Sequence, residues 1–189
     1  ARVAAREGRT AEAVMRYRRV AAARAIVPGL PAAQARDLPD DAAYLAAWLS
    51  YDAGDFARAV DLLGRYARER PESKRALDAR WFRAWSLHRL GREAAARRAF
   101  AALEATPLAS GALYWQARLA PERSRQAALY RAAFRAGEGD WYALLASARL
   151  AAMGEAPPAA PGPAPPRPLP EDPPDSAAAR GLSRAMALL

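Results

Sequence analysis

The chain contains one glutamate-serine pair, Glu72-Ser73 in the run RPESKR, and one histidine, His88. A carboxylic acid that donates a proton needs an apolar pocket to raise its pKa. Glu72 instead follows Pro71 among charged residues, at a boundary between two predicted helices. It reads as an acid in a first turn that compensates the helix dipole, with Ser73 as the cap. His88 has no second histidine and no cysteine to join it, so a metal site would need carboxylates alone. Asp40-Asp41 and Glu171-Asp172 lie in no loop with calcium-site spacing. His88 stands just before Gly91 and reads as a partner of a helix C-terminus or as a surface residue. Neither a G-x-x-x-x-G-K-[ST] nor a G-x-S-x-G sequence occurs, which leaves nucleotide and hydrolase chemistry without a motif. The sequence therefore nominates no catalytic residue, no metal ligand and no cofactor.

Residues suited to binding are more plentiful. Trp81, Trp85, Tyr114, Trp115, Trp141 and Tyr142 can stack on sugars or peptide side chains, and at helical spacing they equally suit packing between helices. Arg83, Arg118 and Arg149 stand beside them and can meet carboxylates. Trp115, Arg118, Trp141 and Tyr142 are the candidate ligand-binding residues. The net charge of +9 is almost entirely arginine, since Lys74 is the only lysine. These arginines are scattered and alternate with Ala or Glu, without a compact basic run interleaved with aromatics, so nucleic acid is not an expected partner. No run of about 18 apolar residues exists, which leaves no membrane-spanning segment. The absence of cysteine excludes disulfides and thiolate chemistry but leaves the compartment open.

These residues need helices to position them, and the chain reads as helical throughout. Apolar content is 52%, much of it alanine, which favours closely packed helices. Gly8 precedes a helix with Ala13, Tyr17 and Val20 on one face. Pro28, Gly29, Pro31 and Pro39 mark an irregular connection with a brief helix at 32–36. Asp40 is then the expected cap of a helix carrying Tyr44, Leu45, Trp48 and Leu49. Its partner after Gly54 carries Phe56, Ala59, Val60, Leu63 and Tyr66. A second pair has Leu77, Trp81, Trp85 and Leu87 before Gly91, then Ala95, Ala96, Ala99, Phe100 and Leu103 up to Thr106-Pro107. Gly54 and Gly91 lie 37 residues apart, close to a tetratricopeptide unit of about 34 residues. Ala47 and Ala59, then Ala84 and Ala96, put small residues where two helices must cross closely. The spacing from Gly8 to Gly54 is longer, so the match is to a looser, tetratricopeptide-like array.

The stretch 112–154 reads as three more helices. Leu113, Tyr114, Trp115 and Leu119 share a side of the first; Pro121 separates it from a second carrying Ala127, Ala128, Tyr130, Ala133 and Phe134. Gly137 and Gly139 break the chain, and Asp140 caps a third helix with Trp141, Tyr142, Leu144, Leu145 and Leu150. The order LYWQAR, ALYRAAF, DWYALLASARL resembles the last repeats of the superhelical domain of soluble lytic transglycosylases. That resemblance implies a right-handed α-solenoid in the periplasm that precedes a lysozyme-like catalytic domain and helps position or admit peptidoglycan strands. The family's catalytic glutamate lies in a lysozyme-like helix accompanied by a Gly-Leu-Met-Gln type of segment. The latter is absent and Glu72 is in the wrong setting, so no catalytic role is carried over. The expected organisation is all-α: antiparallel helix pairs stacked into a superhelix over 1–154, a proline-rich linker or strap at 155–175, and a final helix at 176–189, with the chain truncated at both ends. Peptidoglycan or a protein or peptide of the envelope is the expected partner. A tetratricopeptide-like protein-interaction scaffold unrelated to glycan is the alternative.

Overall fold

The computed structural model describes residues 1–23 and 31–156, within a compact unit Ala1–Pro158. The connection expected around Pro28 and Gly29, nearly all of the proline-rich segment, and the final helix lie outside the described residues. Among the described residues the structure has nine helices and no strand: α1 (Arg2–Arg6), α2 (Thr10–Ala22), α3 (Ala32–Asp52), α4 (Phe56–Glu69), α5 (Ala76–Arg89), α6 (Glu93–Ala101), α7 (Ala109–Leu119), α8 (Arg123–Ala136) and α9 (Trp141–Ala152).

The turns follow from glycine chemistry. After α1 and α5 the chain enters the left-handed region at Gly8 (φ 73°) and Gly91 (φ 69°), where a side chain is strained. In both turns the amide of the residue after glycine reaches back five residues: Arg9 N donates to Ala4 O at 2.8 Å and Arg92 N to Leu87 O at 3.0 Å. This is the Schellman closure, which satisfies carbonyls that a helix end leaves unpaired.

From α2 onward each helix packs on the next along the chain, and α3 also meets α5, as α7 meets α9. Small residues make these crossings close: Ala47, Ala59, Ala84 and Ala96 are all completely buried. Larger residues fill the spaces between, with Tyr44, Leu63 and Tyr66 in one cluster, Leu87, Phe100 and Leu103 in the next, and Tyr114, Tyr130 and Leu150 in the last. Each such fully buried large side chain contributes about 1.5–3 kcal/mol.

Three local expectations are corrected. The helix begun at Ala32 continues through Pro39 to Asp52 instead of restarting at Asp40. Proline removes one amide donor and disfavours helix at the preceding residue, yet tertiary bonds hold this segment in place. Asp40 caps nothing: its Oδ2 accepts from Tyr66 Oη (2.9 Å) and Ser73 Oγ (2.8 Å), and its Oδ1 lies 3.3 Å from Arg70 Nε. Ser73, the expected cap of the following helix, precedes its start at Ala76 and instead accepts from Arg75 N at 3.2 Å. On α8, Ala128 is exposed and the neighbouring Leu129 is buried in the core.

Candidate functional site

The site is built on α7 and α9 with α8 behind them, and its frame is set by three small or polar residues. Asp140 caps α9 by accepting from Ala143 N at 2.8 Å, as the sequence indicates. The same Oδ1 accepts from Ser110 Oγ at 3.0 Å, and Ser110 also lies 3.1 Å from Ala133 O. One serine in the first turn of α7 thus ties α8 and the start of α9 to it. Gly111 follows, and a Cβ there would meet Tyr142 Cε2 at 2.8 Å and Trp81 Cη2 at 2.9 Å. Glycine at that point lets two rings reach the α7 backbone.

The rings form a continuous set of edge and tilted contacts. Trp81 lies 6.0 Å from Tyr142, which lies 5.6 Å from Tyr114. Tyr114 in turn contacts Tyr130 and Trp115, each at 5.6 Å. Trp115 continues the series to Trp85 at 4.3 Å and His88 at 5.6 Å. His88, in the last turn of α5, is therefore packed against both tryptophans.

Two arginines decorate this set. Tyr114 and Arg118 are four residues apart on α7 and share a face. The Arg118 guanidinium lies over the Trp115 ring at 5.7 Å, a cation–π contact that fixes its direction. Arg149 arrives from the last turn of α9. Burial pushes the Tyr114 phenol up, but the positive charges of Arg149 and Arg118 outweigh this and hold it below its ordinary value. Tyr130, deeper and in contact with Tyr114, is raised by burial. Both arginines are exposed, and among the described residues neither forms an ion pair.

Of the four residues nominated from the sequence, Trp115 and Arg118 are in direct contact, and Tyr142 joins them through Tyr114. Trp141 does not belong with them. It is 68% exposed at the start of α9 and makes no aromatic contact among the described residues. Arg149 and Tyr114, both noted in the sequence, are the members that complete the group; the four-residue step from Tyr114 to Arg118 was the available signal.

Two other polar features lie elsewhere. In the Asp40 network Tyr66 and Ser73 each carry one proton, and Ser73 Oγ is 2.6 Å from Tyr66 Oη. Ser73 donates to Asp40, and the Tyr66 proton is shared between the carboxylate and Ser73. Burial, with Asp40 adding to it, pushes Tyr66 up to about 12. A cleft of about 720 Å³ is lined by Tyr17, Val20, Leu38, Leu45, Asp41 and Arg75, among others. Glu72 is exposed at the chain's only Glu-Ser pair, without the apolar pocket that a general acid needs. No group of carboxylates and histidine able to hold a metal occurs among the described residues, and no helix among them is long and apolar enough to cross a membrane. Comparison of the chain with protein families, with curated proteins and with solved structures found no match.

Proposed function

We propose that this chain is the non-catalytic superhelical region of a periplasmic peptidoglycan lytic transglycosylase: antiparallel helix pairs stacked as a right-handed, tetratricopeptide-like solenoid that helps position or admit glycan strands. The observation that carries this reading is the surface of α7 and α9: the exposed guanidinium of Arg118 lies over the half-buried ring of Trp115, and α9, packed on α7, carries exposed Trp141 and Arg149. Rings of this kind stack on sugars, and arginines pair with the carboxylates of glycan-linked peptides. The buried alanines at the helix crossings support the stacked-pair geometry. Chemistry is left to a separate lysozyme-like domain. Sedimentation of the chain with purified peptidoglycan sacculi at moderate salt, run beside a turnover assay, tests the reading. Binding without turnover is expected. A chain that stays in the supernatant refutes it, and turnover refutes its non-catalytic part.

A second reading, a protein-interaction scaffold with no link to glycan, is favoured by the cleft of about 720 Å³ beside Tyr17 and Leu45, a size that suits a peptide side chain or small ligand. A chain that ignores sacculi but retains a peptide in this cleft would establish it.

A further inference from the structure

We infer that the clefts between the even-numbered helices form a track for a flexible linear chain of phosphate groups. Helices α3 and α5 meet, whereas no two even-numbered helices pack on each other to a like extent. Openings are left between α2 and α4, between α4 and α6, and between α6 and α8, with α3, α5 and α7 contributing to each in turn. The middle cleft, of about 320 Å³, has Arg68 of α4 and Arg80 and Arg83 of α5 around small residues. Gly64 admits Arg83 to the α4 backbone, since a Cβ there would lie 2.9 Å from the Arg83 Nε. The first cleft, of about 260 Å³, carries Arg18 and Arg65. The third, of about 240 Å³, carries Arg98 and Arg125. One helix, about 10–12 Å across, separates each cleft from the next. These clefts share no residue with the tryptophan and arginine surface of α7 and α9, so the inference is independent of the glycan reading.

Among the described residues these arginines form no ion pair and their side chains donate no hydrogen bond. Glu69 is the one acid lining the three clefts, and it lies 3.5 Å from Arg70. The wide cleft beside Tyr17 differs, with Asp37 and Asp41 set against Arg2 and Arg75. Arginines that are scattered along the sequence are thus sorted by the fold into three successive openings. The simplest other explanation is service to the helix dipole, which suits Arg68 and Arg98 in last turns. It does not suit Arg80 and Arg83 in the body of α5, nor Arg125 in the first turn of α8, where a cation is disfavoured. Unpaired guanidiniums around one opening repel each other, and an anion between them removes that repulsion. A phosphate group offers more acceptor oxygens than a carboxylate and can take the forks of two or three arginines at once. The only ring among the lining residues, Tyr66, is buried. The clefts therefore offer charge without a stacking platform, which suits a phosphate chain and not exposed bases.

The test is isothermal titration of the full chain at constant ionic strength with four probes: linear inorganic polyphosphate long enough to span the clefts, tripolyphosphate, polyglutamate of equal charge, and oligodeoxythymidylate. Saturable binding of the long polyphosphate is expected. Tripolyphosphate should bind about tenfold more weakly or worse, because it reaches one cleft only. Polyglutamate and oligodeoxythymidylate should also bind more weakly than the long polyphosphate. Arg68→Gln combined with Arg80→Gln should weaken the long polyphosphate about tenfold, as the loss of two charge-assisted contacts at exposed positions requires. Arg6→Gln combined with Arg135→Gln removes the same charge from exposed positions outside the clefts and should weaken it less than about twofold, since salt screens distant charges. Both variants should keep the helical spectrum and melting temperature, because glutamine is a good helix former. Equal losses in the two variants would reduce the effect to overall charge and overturn the clefts. Tripolyphosphate binding as tightly as the long chain would overturn the track. Polyglutamate binding as tightly would overturn the phosphate, and tighter binding of oligodeoxythymidylate would put single-stranded nucleic acid in its place.

Discussion

The same substitution at two helical glycines should have opposite effects. Gly111→Ala places a Cβ at 2.8 Å from Tyr142 and 2.9 Å from Trp81, and both contacts are ring edges packed into the core. Neither ring can withdraw without disturbing its contact with Tyr114 or Phe100. Overpacking of this kind costs about 1–3 kcal/mol. Against it stands the helix-forming gain of alanine over glycine, about 1 kcal/mol at most and less near a helix start. The net loss is about 1–2 kcal/mol. Gly64→Ala makes the same backbone gain, but its Cβ meets Nε and Cδ of Arg83 at 2.9 and 3.2 Å, atoms of a partly exposed, flexible side chain. Arg83 can swing aside, so this variant should be between unchanged and about 1 kcal/mol more stable. Urea unfolding followed by far-ultraviolet circular dichroism measures both, provided the denaturant slope stays constant. In heating, the Gly111→Ala loss corresponds to a melting temperature lower by about 2–8 °C for a chain of this size. A Gly111→Ala protein as stable as Gly64→Ala would refute the packing described for α5, α7 and α9.

Two further perturbations test the polar contacts. Tyr66 has its folded pKa raised to about 12 from 10.0, with burial as the main cause. The folded state therefore keeps a proton that the unfolded chain has lost, so the stability Tyr66 contributes is complete below pH 10 and is lost as pH rises toward 12. The full loss amounts to about 3 kcal/mol at most. Tyr66→Phe should lose about 1 kcal/mol at neutral pH through the missing hydrogen bond and show a shallower decline in alkali; unfolding curves at several alkaline pH values measure this, and parallel declines in the two proteins would contradict it. Asp140→Ala removes the cap of α9 and the bond from Ser110 together, a loss of about 1–3 kcal/mol. Asp140→Asn keeps an oxygen in place and should lose less than half as much, and equal losses in urea unfolding would show that the shared oxygen is not what matters.

Much of this arrangement is legible in the residues because it depends on near neighbours. Gly8, Gly54 and Gly91 mark turns, Asp140 caps a helix, and four alanines are buried where close crossings need them. Each of these is decided within a few residues or by helical period. The failures have the opposite character. Pro39 and Asp40 carry the local marks of a helix boundary, but the partners that hold Asp40 are Tyr66 and Ser73, 26 and 33 positions away. Local punctuation lost to a tertiary network. Trp141 and Tyr142 are adjacent, yet one is exposed and the other packed, because a step of one residue turns through about 100° on a helix. Composition nominated both; only packing separates them.

The position of the arginine pair follows from the same neighbour-by-neighbour construction. Tyr114 and Arg118 share a face by spacing alone, whereas Arg149 reaches them only if α8 returns the chain and α9 lies against α7. Ser110, Asp140 and Gly111 govern that return: the first two bind the start of α9 to α7, and the third admits Tyr142 and Trp81 to its backbone. The Asp40 network belongs to α3, to Tyr66 of α4 and to the segment between α4 and α5, and it shares no residue with this frame. Loosening α3 reaches α7 and α9 through α5, by way of Trp81 against Tyr142 and Trp85 against Trp115, and through α6, by way of Phe100 against Trp115. The site thus depends closely on three consecutive helices and weakly on the rest of the unit. That separation leaves the exposed arginines of α7 and α9 on a frame held by a few polar and aromatic contacts, in a chain whose core is largely alanine.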